Sequence, residues 1–144
     1  MRLNLDGSVL AVIWAHLVFV LPYVFLTLAD SWRALDRRYA QIAAAIGATP
    51  NRTFWVVKLP MLLRPILVAF AVGFAVSVGQ YLPTLFAGAG RVATLTTEAV
   101  TLSSGSDRRV LGIYAVMQAL MPLGLYGLSL AVPSLIYRNR RGLA

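Results

Sequence analysis

Three stretches of the chain carry no charged residue: 8–29, 65–90 and 110–137. Each is at or above the roughly 20 residues that a helix needs to cross a ~30 Å hydrocarbon layer. The pattern predicts three transmembrane helices over about 8–29, 63–86 and 110–137, and therefore an all-α polytopic membrane protein. Between the first two spans the pattern changes period. Tyr39, Ile42, Ala43 and Ile46 fall at i, i+3, i+4 and i+7, an apolar stripe on a short helix. Ala40, Ala44, Gly47 and Ala48 run beside it as a strip of small residues. Gly47 is placed to stop that helix, and Thr49-Pro50 reads as an N-cap followed by proline at the first position of a second one. The second piece carries Phe54, Trp55 and Val57 and reaches the next span through Leu59-Pro60. The segment 33–60 is thus read as a helix-turn-helix hairpin, with Asp30 or Ser31 as the cap that starts it.

Other elements follow from local signals. Ala69, Gly73 and Ser77 repeat every four residues in the second span, a spacing that lets another helix approach closely in lipid. Gly79 to Pro83 is expected to break that span near its end. A short helix is expected over about 95–102, closed by the turn Ser104-Gly105-Ser106. Gly112, Gly124, Gly127, Pro122 and Pro133 predict a kinked third span. There is no internal repeat and no low-complexity linker.

Composition agrees with a membrane protein: 59% of residues are hydrophobic and 12% charged, against about 25% charged in soluble domains. The first span is long and is followed by Asp30, Trp32 and Arg33 instead of a small-residue cleavage site, so it is expected to stay in the mature protein. The net charge of +8 does not argue for nucleic acid, because the basic residues flank apolar spans. They report topology. Arg33, Arg37, Arg38, Arg52, Lys58 and Arg64 lie between the first and second spans, and Arg138, Arg140 and Arg141 follow the third. The positive-inside rule puts both segments in the cytoplasm, outweighing Arg2, Arg91, Arg108 and Arg109 on the other side. Cysteine is absent, which removes disulfides and thiolate metal sites from consideration.

The run QIAAAIGATPNRTFWVVKLP resembles the cytoplasmic signature of permease subunits of binding-protein-dependent ABC importers: Glu-Ala-Ala, three residues, Gly, nine residues, Ile, one residue, Leu-Pro. Gln41 stands where Glu is usual, Ile42 and Ala43 replace the two alanines, Gly47 is the glycine, Val57 replaces Ile, and Leu59-Pro60 close the motif. A weaker likeness continues through GQYLPTLFAGAGRVATLTTEAV, nearest to the thiamine, polyamine, sulfate and ferric iron branch. The resemblance implies part of an importer transmembrane domain, here the single unit 1–144, in a bacterial inner membrane. It implies a cytoplasmic ATP-binding subunit dimer docking on Tyr39, Gln41, Ile42, Ala43, Gly47, Val57, Leu59 and Pro60. Further transmembrane spans or a second permease half, and a periplasmic solute-binding protein meeting the outer face near Glu98, Asp107, Arg108 and Arg109, are implied too. The alternative for the hairpin is an amphipathic helix lying on lipid with its arginines near anionic headgroups. For the whole chain the alternative is a truncated or accessory membrane protein that binds the ATPase without transporting.

No catalytic set is legible. His16 is the lone histidine, too few for a two-histidine metal site, and no phosphate-binding Gly-Lys-Ser/Thr loop occurs. No cofactor is implied. His16 is read as a helix-to-helix hydrogen bond, with a place on a solute path as the alternative. Ser77, Gln80, Tyr81 and Gln118 are the polar groups within or beside the spans that are candidates for such a path. Interhelical bonding, worth ~0.6 kcal/mol and at most about 2 each in lipid, is the competing role. Trp14, Trp32 and Trp55 are read as core or interfacial anchors.

Overall fold

A computed structural model describes residues 7–105 and 108–136. The expectations attached to Arg2, Ser106, Asp107, Arg138, Arg140 and Arg141 lie outside the described residues. Eight helical pieces follow one another without a strand among the described residues: α1 (Val9–Arg33), α2 (Arg37–Ala45), α3 (Pro50–Thr53), a π turn (Phe54–Lys58), α4 (Leu59–Val78), α5 (Leu82–Ala87), α6 (Leu95–Ser103) and α7 (Arg108–Ile136). Three helices are long and apolar enough to cross a membrane: Val9–Arg33, Pro50–Val78 and Arg108–Leu135. The fold is an all-α polytopic one.

Ser8 starts α1 by accepting a hydrogen bond from the Ala11 amide at 3.2 Å. The helix does not stop at Asp30 or Ser31 as expected. It continues to Arg33, because Asp30 has a partner on the helix surface, Arg33 at 3.9 Å, and competes for no backbone amide. Asp36 takes the capping role instead, accepting from the Arg38 amide at 2.9 Å. Its extended backbone turns the chain into α2.

Pro60 and Pro65 interrupt nothing. α3, the π turn and α4 form one continuous rod of 29 residues, Pro50–Val78. The Leu59 amide reaches back five residues to the Phe54 carbonyl. The wider turn falls where the ring of Pro60 would otherwise crowd the carbonyl four residues before it. The rod is ~43 Å long at 1.5 Å per residue, so it projects beyond the hydrocarbon layer. Its cytoplasmic end is tied to α1 by Lys58, whose amine lies 5.8 Å from the centre of the Trp32 ring.

α4 is the central element, with α1 and α7 packed on it, α5 against α1, and α6 against α7. The row Ala69, Gly73 is buried, with Ala71 and Leu62, as the four-residue spacing predicts. Gly73 marks the closest approach. A Cβ there would stand 2.8 Å from Val24 Cγ2 and 3.0 Å from Val20 Cγ1. By contrast most large side chains of α1 and α7, among them Trp14, Phe25, Leu120 and Leu123, are exposed. That is the surface of helices that meet lipid or other spans.

α4 ends at Val78, and the break at 79–81 leads into α5 with a proline in its first turn. The short outer helix forms as expected, α6 beginning at a capping box in which Thr94 and Thr97 satisfy each other's amides.

Gly73→Ala is expected to lower the unfolding midpoint in detergent, a loss of about 1–3 kcal/mol from overpacking. Gly112→Ala is the control, since nothing lies within 4 Å of its added carbon. Equal midpoints for the two variants would show that α1 and α4 are not locked at Gly73.

Candidate functional site

Two places concentrate polar and exposed functional chemistry, one at each end of the rod. The cytoplasmic one is the hairpin. At the end of α2 the Ala48 amide bonds the Ala43 carbonyl and the Gly47 amide bonds the Ala44 carbonyl, both at 2.9 Å. This is a Schellman closure, which needs a left-handed residue after the helix cap, and Gly47 supplies it at φ 80°. Thr49 then caps α3, accepting from the Arg52 amide at 3.4 Å, with Pro50 following. The turn therefore has the helix, tight turn, helix form read from the sequence.

The stripe on α2 divides. Ala43 is buried, with Thr53 of α3 also buried beneath the hairpin. Tyr39, Ile42 and Ile46 face out, and Ile46 is 80% exposed. Gln41 and Gly47 are exposed beside them, and a Cβ on Gly47 would meet nothing within 4 Å. Val57, Leu59 and Pro60 are elsewhere: they are half-buried in the π turn and the first turn of α4. The hairpin thus leaves Tyr39, Ile42, Ile46 and Gly47 open, with Gln41 exposed on another face of α2, and keeps the second half of the motif in the base of the rod. Arg37, Arg38 and Arg52 ring this surface with positive charge, and the nearest acid, Asp36, is 4.0 Å from Arg38.

The outer site is a polar cluster where α4 breaks. His16 of α1 uses both ring nitrogens, Nδ1 to Ser77 Oγ at 2.8 Å and Nε2 to Thr84 Oγ1 at 2.7 Å. Thr84 donates its own proton to the Gln80 carbonyl at 2.6 Å, so it must accept from Nε2–H. In the neutral imidazole, with its proton on Nε2, Nδ1 then accepts from the Ser77 hydroxyl. Gln80 returns to α1 through Nε2, which donates to the His16 carbonyl at 3.3 Å. Thr96 of α6 donates to the Val78 carbonyl, and Gln118 of α7 donates to Thr96 at 3.2 Å. Three of the expected polar residues, His16, Ser77 and Gln80, therefore meet in one network with Thr84, Gln118 joins Thr96 in a second chain that ends on the Val78 carbonyl, and Tyr81 sits half-buried at the break.

Thr84 and Thr96 were not singled out from the sequence. Thr84 is fully buried and Thr96 nearly so. A signal existed for both: each stands just after a helix-breaking segment, where freed carbonyls need donors. Below the network a cavity of about 550 Å³ opens between α1 and α4, apolar except for His16 and Ser77 at its outer end.

The sequence pattern of the family described as "Binding-protein-dependent transport system inner membrane component" matches residues 3–138. The chain is 47% identical over 141 residues to the inner membrane ABC transporter permease protein YnjC of Escherichia coli (strain K12), covering 98% of this chain and 28% of that protein. It is 36% identical over 95 residues to the molybdenum transport system permease protein ModB of Mycobacterium tuberculosis, covering 65% of this chain and 36% of the other. It is 30% identical over 90 residues to the putrescine transport system permease protein PotI of Escherichia coli (strain K12), covering 62% and 32%. The chain thus spans about a third of the length of these curated relatives. No solved structure matches it.

Thr84→Val removes a buried hydroxyl that serves two partners and is expected to cost about 1–3 kcal/mol. Thr101→Val, at an exposed hydroxyl on α6, should stay within about 0.5 kcal/mol. Denaturant unfolding in detergent compares them, and a Thr84→Val value as small as that of Thr101→Val would remove the network from the stability of the outer half.

Proposed function

The chain belongs to the binding-protein-dependent transport system inner membrane component family, the multi-pass permeases of ABC importers, and on that premise we propose that it couples ATP hydrolysis by a partner ATPase to solute passage across the inner membrane. One observation carries the reading: a hairpin with exposed apolar side chains and exposed arginines forms the end of a rod that is continuous with the central span. Ile42 and Ile46, with Tyr39, are anchors of the kind that bury well in a pocket, and Arg37 and Arg38 suit acidic groups around it. Gln41 is exposed on another side of α2 and offers a neutral amide where the family signature has a carboxylate. Gly47 leaves room for a close partner surface.

Val57, Leu59 and Pro60 have a different part in this mechanism. They build the π turn and the base of α4, so that a displacement of α2 is carried into the span instead of being lost in a flexible joint. Closure of an ATP-binding subunit dimer moves two such hairpins, and alternating access follows from the attached spans. Chemistry on ATP belongs to that partner, and this chain is not itself an enzyme. Further spans, from a longer chain or a second permease half, complete the path, and a periplasmic solute-binding protein delivers the solute to the outer face around α6. The polar residues Ser77, Gln80, Tyr81 and Gln118 lie at the level where that path meets the break in α4. The reading as an accessory protein that holds the ATPase without transport is less favoured, because the rod joins the hairpin to the broken span without interruption.

The test uses the complete transporter. Ile42→Asp with Ile46→Asp is expected to leave membrane insertion intact and to reduce co-purification of the ATPase at least tenfold. Gly47→Val should do the same through the turn, since a β-branched residue resists positive φ, whereas Gly47→Asn keeps the turn and tests the space alone. Full ATPase binding and ATP-driven uptake in the double aspartate variant would overturn the proposal. ATPase binding without any uptake in the unsubstituted protein would favour the accessory reading.

A further inference from the structure

The outer network accounts for its donors. Ser77 gives its proton to His16, His16 to Thr84, Thr84 to the Gln80 carbonyl, Thr96 to the Val78 carbonyl, and Gln118 to Thr96. One acceptor is left over. Gln80 Oε1 is buried and has no hydrogen-bond partner, on a residue only 8% exposed. The amide orientation is set by its other end, because Nε2 donates to the His16 carbonyl. Turning the amide over would press Oε1 against that carbonyl, oxygen against oxygen. A buried acceptor without a donor is costly, and such groups are rare in folded proteins.

Its position adds a second argument. Gln80 stands in the break between α4 and α5, and irregular backbone at such a depth is tolerated where protein buries it or where it lines a watery cavity. Several backbone groups of the break are met, the Gly79 and Gln80 amides by the Ala75 and Ser77 carbonyls and the Val78 and Gln80 carbonyls by Thr96 and Thr84. Among the buried side-chain polar atoms of the described residues, Gln80 Oε1 is the one left without a partner, and it can be offered to something from outside.

We propose that Gln80 Oε1 is a binding acceptor, completed from the aqueous outer side by an O–H or N–H donor when the break moves away from α1. The donor is water or the donor group of a passing solute, such as an organic amine. A fully ionised oxyanion has no proton to give and is not a ligand for this atom. The solute source rests on the permease reading above; the water source does not.

The absence of native cysteine permits a direct test in membrane vesicles holding the complete transporter. Gln80→Cys is expected to react with a membrane-impermeant thiol reagent added from the outer side, with nucleotide trapped or without, while Phe74→Cys, deeper on α4, stays unreactive. Slowing by putrescine identifies the solute as donor, an unchanged rate identifies water, and sulfate has no effect in either case. No reaction of Gln80→Cys in any nucleotide state overturns the proposal, and protection by sulfate but not by putrescine overturns the donor assignment. Hydrogen exchange of the unsubstituted transporter guards against a break opened by the substitution itself. Amides of 79–81 should exchange at least tenfold faster than those of 70–74, and equal protection counts against the proposal. Loss of ATPase co-purification would sink the permease reading alone, because the nucleotide-free labelling still reports on the acceptor.

Discussion

A lipid bilayer gives a bare peptide group nothing to bond to, and the architecture is arranged around the one place where this chain lets its helix come apart. Between Val78 and Leu82 the ladder of α4 stops, and two of the carbonyls it frees are met by side chains from two other elements, that of Gln80 by Thr84 of α5 and that of Val78 by Thr96 of α6, with His16 of α1 bonded to Thr84. The break is therefore not a loose end. It is the point at which α1, α4, α5, α6 and α7 are stitched together, with Gln118 closing the far side. Remove that stitching and the break could persist only by drawing water inward.

At the opposite end the problem is inverted, since the hairpin stands in water and must keep its shape with little burial. It does so by local means. A left-handed glycine, a threonine cap and a proline at the first helical position define the turn within a few residues, and Ala43 and Thr53 are its buried residues. The three large apolar side chains of α2 are not used for this and stay outside. A handle that does not need its own apolar face for folding has that face to give to another protein.

How much of this was legible in the residues depended on range. The spans, the hairpin turn and the α6 capping signal are local, written in uncharged length, in Gly47 and Thr49-Pro50, and in Thr94 with Thr97. The row Ala69, Gly73, Ser77 announced a helix neighbour, though not that the neighbour would be Val20 and Val24. One boundary reading went astray: Asp30 has the chemistry of a cap, but α1 runs on to Arg33 and Asp36 caps α2. The π turn at Phe54–Lys58 is marked by no residue type and had no signal in the sequence. The partners of His16 were hidden because Ser77 and Thr84 reach it across 61 and 68 residues of sequence, a matter of tertiary placement.

Lys58 over Trp32 has one more consequence. An indole and an amine are the two side-chain types that settle at the headgroup boundary, the amine by stretching toward water from a submerged stem. Held together, they act as a depth gauge for the cytoplasmic rim, keeping the base of the handle level with the lipid surface. When the protein sits in a thicker or thinner sheet of lipid, the adjustment falls on tilt and on the far leaflet. On the coupling proposed above, the reach of the hairpin beyond the lipid, and with it the height at which an ATP-binding partner seats, then stays constant.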